Sequence, residues 1–211
     1  MTVSLIVDDR KLEAEAGASL LAVCLANDIH IPNLCHMPDT PEPHASCRLC
    51  FVEIEGEPGP VTACTTPVRE GMRVHTATDA VRVLQRTALR LLLSVHDLRC
   101  RECPANKRCD LQRLARILGV SLKPGAAGRY LKEPDIDTRH PMLDHYPNRC
   151  VLCGRCIETC RRLHDHSLIS LARRGFDTVV SFEDVTDPSC SACVFICPVG
   201  ALTLKDGSIP D

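Results

Sequence analysis

The sequence contains no tryptophan, and aromatic residues make up 3% of its 211 positions. Conventional core material is therefore thin for several small lobes. Bound metal would make up the deficit, because ligand–metal bonds contribute folding free energy directly. No apolar run approaches the roughly eighteen residues of a membrane span; the best, Leu89 to Val95, is interrupted by Arg90. The opening MTVSLIVDDRKLEAEAG carries acids and no apolar leader core. A secreted disulfide scaffold is set aside on that ground, and the cytoplasm is the expected compartment. No G-x-G-x-x-G follows a strand and no G-x-x-x-x-G-K-S/T occurs, while GAAG at 125–128 is too short, so no nucleotide or flavin site is offered. A net charge of −2 lacks the basic footprint of a nucleic-acid binder. The basic stretch Arg99, Arg101, Lys107, Arg108, Arg113 and Arg116 has no interleaved aromatics and reads as a solvated face or docking surface.

What the chain has in excess is cysteine, 15 in all. Around them the fold reads as α+β. TVSLIV at 2–7 alternates, Asp8-Asp9 is a turn signal, and a second short strand precedes Gly17. Ser19 is placed to cap an apolar helix, Leu20 to Ala26, ending at Asn27. Strand, turn, strand, helix is how a β-grasp ferredoxin domain opens; FVEIEG at 51–56 and Met72 to Thr76 supply its remaining strands and it closes near residue 77. A helix starting at Thr78-Asp79 carries Val81, Leu84, Ala88, Leu91, Leu92 and Val95 at helical period and delivers His96 at its end. Another, Leu111 to Leu118, stops at Gly119. The expected domains are thus 1–77, 78–120 and 150–211, with 121–149, rich in proline, as an extended linker.

The cysteines fall into four sets. Cys35, Cys47, Cys50 and Cys64 form C-x11-C-x2-C-x13-C, which keeps the order of a plant-type [2Fe–2S] ferredoxin with a longer first interval. A four-thiolate zinc site usually shows two tight C-x2-C knuckles, and this set shows one. His36 and His44 lie in the same loop and read as solvated. His96, Cys100, Cys103 and Cys109 suit zinc and a [4Fe–4S] cluster equally by ligand type. Cys150, Cys153, Cys156 and Cys160 form the bacterial ferredoxin run C-x2-C-x2-C-x3-C, in which the fourth cysteine serves the other cluster. That rule ties Cys197 to Cys150, Cys153 and Cys156. Cys160 then joins Cys190 and Cys193, and the position that should complete this set is Asp187. Cys24, left over on the apolar face of the first helix, reads as a buried structural thiol. His164, His166 and paired acids such as Asp8-Asp9 read as surface residues, since nothing identifies a substrate pocket.

In this order of parts the chain resembles the N-terminal iron–sulfur module of the complex I large iron–sulfur subunit, the iron-only hydrogenases and the NAD-linked formate dehydrogenases. In size it is similar to the small diaphorase subunit of NAD-reducing hydrogenases. The resemblance implies a β-grasp [2Fe–2S] domain, a small helical domain with a His-ligated [4Fe–4S] cluster on His96, and a bacterial-type 2[4Fe–4S] domain. It implies one [2Fe–2S] cluster and two to three [4Fe–4S] clusters. Asp187 stands where the family has a cysteine: an Asp-ligated [4Fe–4S], a [3Fe–4S] with Asp187 unbound, and a plain turn at Asp187-Pro188-Ser189 all stay open. The resemblance, with seven residues after Leu204, leads to the expectation that no hydrogenase or formate dehydrogenase catalytic site is encoded here. The function implied is an electron-transfer subunit without an active site of its own. FMN and NAD(P) would sit on a flavoprotein partner, a separate hydrogenase- or formate dehydrogenase-type subunit would lie at the other end, and ferredoxin is a further conceivable partner. A free multi-cluster carrier and a colourless zinc adaptor are the alternatives.

Overall fold

The computed structural model describes all residues except 39, 41, 124–129, 134, 165–166, 184–190 and 210–211. The chain forms two compact units, Met1–Arg90 and Leu91–Asp211.

In the first unit, β1 (Thr2–Val7) and β2 (Arg10–Glu15) make an antiparallel hairpin in which Leu5 faces Leu12. The turn is Asp8-Asp9, both with positive φ, a conformation that asparagine and aspartate tolerate better than most side chains. Alternation puts Val3, Leu5 and Val7 inside and leaves Thr2 exposed. With β3 (Phe51–Ile54), β4 (Val61–Thr62) and β5 (Arg73–His75) the sheet order is β2-β1-β5-β3-β4, and β1 runs parallel to β5. The helix α1 (Leu20–Ala26) buries Leu20, Leu21, Val23 and Cys24 in the core formed with Val7, Val52 and Val74. Ser19 stands at its N-cap position, but its hydroxyl does not cap the helix. It donates instead to the carbonyl of Cys64 at 3.2 Å, tying the helix start to a cysteine-bearing segment. The expected helix after residue 78 is α2 (Asp79–Ser94), capped by Thr78, whose hydroxyl accepts from the N–H of Val81. Its buried face agrees with expectation at Val81 and Ala88 and is rotated at the other positions. Val81, Gln85, Leu89 and Leu93 are buried at a four-residue step, whereas Leu91 is 66% exposed. Gln85 explains the rotation: a polar residue among apolar positions is drawn inward because its amide donates to the carbonyl of Phe51.

The second unit holds α3 (Asp110–Leu118), which ends at Gly119 with φ +63 as its left-handed cap. It also holds β6 (Leu143–His145), α4 (Arg155–His164), β7 (Ile169–Ala172), β8 (Val179–Phe182), α5 (Ala192–Phe195) and β9 (Leu202–Leu204). β7 and β8 form a hairpin, and β6 pairs antiparallel with β9. The stretch expected as an extended linker is thus structured in part. Leu143–His145 is a strand, Asp137 bridges to His145, and the side chain of Asn148 accepts from the N–H of Lys132. The prolines there limit helix but not edge pairing, and three residues are too few for a period to show. Residue 200 locks this unit: Gly200 has φ +66, and a Cβ there would meet the Cβ of Ala105 at 2.6 Å. Beside it the N–H of Asp110 donates to the carbonyl of Pro198 at 2.9 Å. No helix among the described residues is long and apolar enough to cross a membrane.

Candidate metal centres

In the first unit the segment from Asn27 to Cys50 forms no helix or strand among its described residues and carries three thiols, and the fourth, Cys64, lies in the short 3-10 turn Ala63–Thr65. Cys35, Cys47, Cys50 and Cys64 are all buried. Left-handed backbone at Ala45 and Arg48 turns the chain sharply on either side of Cys47. The sulfurs come in pairs. Cys35 and Cys47 lie 3.4 Å apart. Donation from Cys47, aided by the main chain of Ser46, lowers the Cys35 thiol to about 5, while Cys47 is pushed up. Cys64 is lowered by the Cys50 thiol, which is itself raised, and it also feels Cys35 and Cys47. Among the described residues no three donors are placed as a single ion would need them. Paired thiols suit two irons with two thiolates each better than one tetrahedral zinc. Cys35 and Cys64 border an open depression of about 610 Å³ that His36 and His44 also line. His44 is exposed and His36 half-buried. Cys24 is fully buried, and burial pushes its thiol up to about 12, as an inert core thiol requires.

In the second unit the Cys109 thiol feels the charge of Cys103 and Cys100. Lys107, with φ +72, bends the loop between Cys103 and Cys109. Burial raises the Cys109 thiol to about 11 against the N–H groups of Gln112 and Leu111 at the start of α3. His96 is buried, and burial lowers its imidazole to about 4, so it is neutral at ordinary pH as a metal-binding ring must be. One of its nitrogens, Nδ1, is buried without a hydrogen-bond partner among the described residues. An orphaned lone pair of this kind fits a ligand atom. Around the three cysteines the basic stretch is largely solvated: Arg99 pairs with Asp97 at 2.8 Å, and Arg113 with Asp110 at 3.1 Å.

The ferredoxin-type run meets its distant partner. Cys150, Cys153, Cys156 and Cys197 line one narrow apolar cavity, together with Val151, Leu152, Val199 and Leu202. Cys156 is raised first by burial and then by Cys150, Cys153 and Cys197 in turn. Burial likewise pushes Cys150 up to about 12. Main-chain N–H groups point at three sulfurs in this unit: Leu152 donates to Cys150, Leu168 to Cys160 and Ala201 to Cys197, at 3.3–3.4 Å. Leu152 reaches its position through a left-handed φ of 51°. Cys160 and Cys193 lie together in the buried cluster that α4 and α5 share. Cys190 and Asp187, expected to complete that set, lie outside the described residues, as do the Asp187-Pro188-Ser189 turn, GAAG at 125–128 and His166. His164 is half-buried at the end of α4. None of the described cysteines is in a disulfide.

Sequence reading missed the buried polar residues of this stretch. His145 borders the cavity, and His145, Asn148 and Arg149 are buried, with the Arg149 guanidinium 4.0 Å over the ring of Tyr146. Only the short alternation Leu143, Asp144, His145 could have flagged them.

Three family models match in succession. They are a 2Fe-2S iron-sulfur cluster binding domain at 1–79, the NADH-ubiquinone oxidoreductase-G iron-sulfur binding region at 85–123, and the ferredoxin-like domain of NADH-quinone oxidoreductase subunit 3 at 140–203. The chain is 32% identical over 206 residues to the NADPH-Fe(3+) oxidoreductase subunit alpha of Geobacter sulfurreducens, covering 96% of this chain and 24% of that one. It is also 32% identical to the NADP-reducing hydrogenase subunit HndD of Solidesulfovibrio fructosivorans, covering 95% and 36%. It thus spans about a quarter to a third of the length of these curated relatives. Among solved structures, a chain of an NAD+-reducing nickel–iron hydrogenase in the H2-reduced state superposes with a TM-score of 0.86 at 28% identity, covering 99% of this chain and 90% of that one.

Proposed function

Since the chain belongs with the iron–sulfur modules of NADH-quinone oxidoreductases and their hydrogenase and formate dehydrogenase relatives, we propose that it is the electron-relaying subunit of an NAD(P)-linked oxidoreductase. It stands between a flavoprotein that handles the hydride and a separate catalytic subunit of hydrogenase or formate dehydrogenase type. Bound iron–sulfur clusters exchange single electrons, which is the chemistry a flavin needs from its neighbour. In this reading Cys35, Cys47, Cys50 and Cys64 hold a [2Fe–2S] cluster in a β-grasp domain, and His96, Cys100, Cys103 and Cys109 hold a [4Fe–4S] cluster in a small helical domain. Cys150, Cys153, Cys156 and Cys197 hold another, and Cys160, Cys190 and Cys193, with Asp187, hold the last. The Asp187 assignment rests on the sequence alone. A cytoplasmic setting suits thiols that must stay reduced.

The observation that supports the reading most is the cavity shared by Cys150, Cys153, Cys156 and Cys197. Two runs about forty residues apart in sequence close one apolar space, as the ferredoxin pattern requires. The protein's part is to exclude water with Val151, Leu152 and Val199 and to aim main-chain N–H groups at the sulfurs, while iron binding displaces the protons that burial holds on the thiols.

The test is iron and acid-labile sulfide content, with EPR of the anaerobically purified chain before and after reduction. About 14 irons per chain without a [3Fe–4S] signal is expected for four filled sites. About 13 with an oxidised [3Fe–4S] signal would leave Asp187 unbound, and zinc in place of iron would overturn the relay. Stable co-purification with a flavoprotein separates a complex subunit from a free carrier.

A further inference from the structure

His145 belongs to none of the ligand sets, yet it borders the cavity of Cys150, Cys153, Cys156 and Cys197. It is 1% exposed, and neither Nδ1 nor Nε2 has a hydrogen-bond partner among the described residues. Its main chain is fully engaged: its N–H donates to the carbonyl of Asp137 at 2.9 Å, and its carbonyl accepts from Asp137 at 2.7 Å. In the β6–β9 ladder it stands opposite Leu202. The edge of the ring meets Phe182 at a centroid distance of 6.0 Å. It also borders an outer cavity of about 460 Å³ that Lys132, Asp137, Arg139 and Arg173 line.

A neutral imidazole carries one N–H donor and one acceptor nitrogen, and leaving both dry is costly. Burial lowers this ring to about 4, so it is neutral at ordinary pH. Of its two neighbouring spaces, the cysteine cavity is the one that fills with negatively charged sulfur and offers no competing donor side chain, and the outer one is polar. We propose that the ring N–H of His145 donates to a sulfur atom of the cluster held by Cys150, Cys153, Cys156 and Cys197, and that it thereby sets the reduction potential of that one cluster. The inference rests on the cluster assignment above. A donor to cluster sulfur favours the reduced, more negative state and raises the potential. Because the residue sits on a paired strand with its main chain bonded on both edges, the donor is held in place before any cluster arrives.

The experiment is an EPR-monitored redox titration of the anaerobic full-length chain as wild type, His145→Leu and His145→Gln, with iron counted in each. In His145→Leu, one [4Fe–4S] signal should show about a tenfold lower reduced-to-oxidised ratio at fixed ambient potential, a shift of about 59 mV for one electron. The other signals should stay put. His145→Gln, which keeps an N–H donor, should recover most of the shift. Unchanged potentials in a fully iron-loaded His145→Leu would overturn the proposal, and so would equal shifts in the Leu and Gln variants. Should His145→Leu lose iron, pulsed EPR of the wild type labelled with 15N-histidine decides. A weak 15N coupling beside the stronger one of the His96 ligand, absent in His145→Gln, is expected, and its absence from the wild type would overturn the idea. A wild type lacking cubane iron would instead sink the relay itself.

Discussion

If one cluster is built from Cys150, Cys153, Cys156 and the distant Cys197, removing two of these cysteines should cost no more iron than removing one. Of about 14 irons in a filled chain, each cubane accounts for about four. Cys153→Ala and Cys197→Ala should each empty the same single site. The double variant should lose about four irons, not eight, because both changes act on one cage and their effects do not add. Cys160 and Cys193 belong to the neighbouring set, in the cluster that α4 and α5 share. Cys153→Ala with Cys193→Ala should therefore lose about eight irons, as should Cys153→Ala with Cys160→Ala. The assay is iron and sulfide per chain after anaerobic reconstitution, with circular dichroism as a check on folding. An additive loss of about eight irons in Cys153→Ala/Cys197→Ala, or a loss of only four in Cys153→Ala/Cys160→Ala, would refute the interleaved ligation. The latter result would mean that each run holds its own cluster.

Three further outcomes follow from packing and charge. His145 has a folded pKa of about 4 against an ordinary 6.5, so its contribution is fully present above pH 6.5 and is lost as the pH falls towards 4. The loss is about 3 kcal/mol from this shift alone. Urea unfolding should show the wild type losing about 3 kcal/mol more than His145→Leu across the window, since His96 titrates in both; parallel curves would contradict the burial. Leu5, fully buried between the first sheet and α1, should cost about 2–5 kcal/mol as Leu5→Ala, read as a lowered denaturation midpoint of the first unit. Gly200→Ala forces both a left-handed alanine and a clash with Ala105. A loss of at least about 1 kcal/mol is expected, and Ala105→Gly should recover only the part due to the clash; full recovery would mean that the backbone conformation carries no strain.

Much of this was legible in the sequence because the signals were local. Alternation marked β1, the Asp8-Asp9 pair marked its turn, and Gly119 marked the end of α3. Cysteine spacing singled out all the thiols that now line the described sites. Cooperation between distant residues was harder to see. The face of α2 turned toward Gln85 for the sake of one carbonyl at Phe51, which no helical period encodes. Ser19 was read as a cap from its position, yet its hydroxyl found the carbonyl of Cys64, 45 residues away. β6 hid in a proline-rich stretch, being three residues long and paired with a strand some sixty positions later. His145 went unremarked with it.

The donors aimed at the sulfurs of Cys150, Cys160 and Cys197 come from the peptide groups of Leu152, Leu168 and Ala201. A peptide N–H is present whatever side chain is attached, and among the natural residues only proline removes it. Drift at these three positions therefore leaves the electrostatic setting of the sulfurs intact so long as the turns survive. A lineage can rewrite the surface of this lobe to suit a new partner and keep the same electron affinity beneath it, whereas His145, whose donor belongs to its side chain, has no such protection.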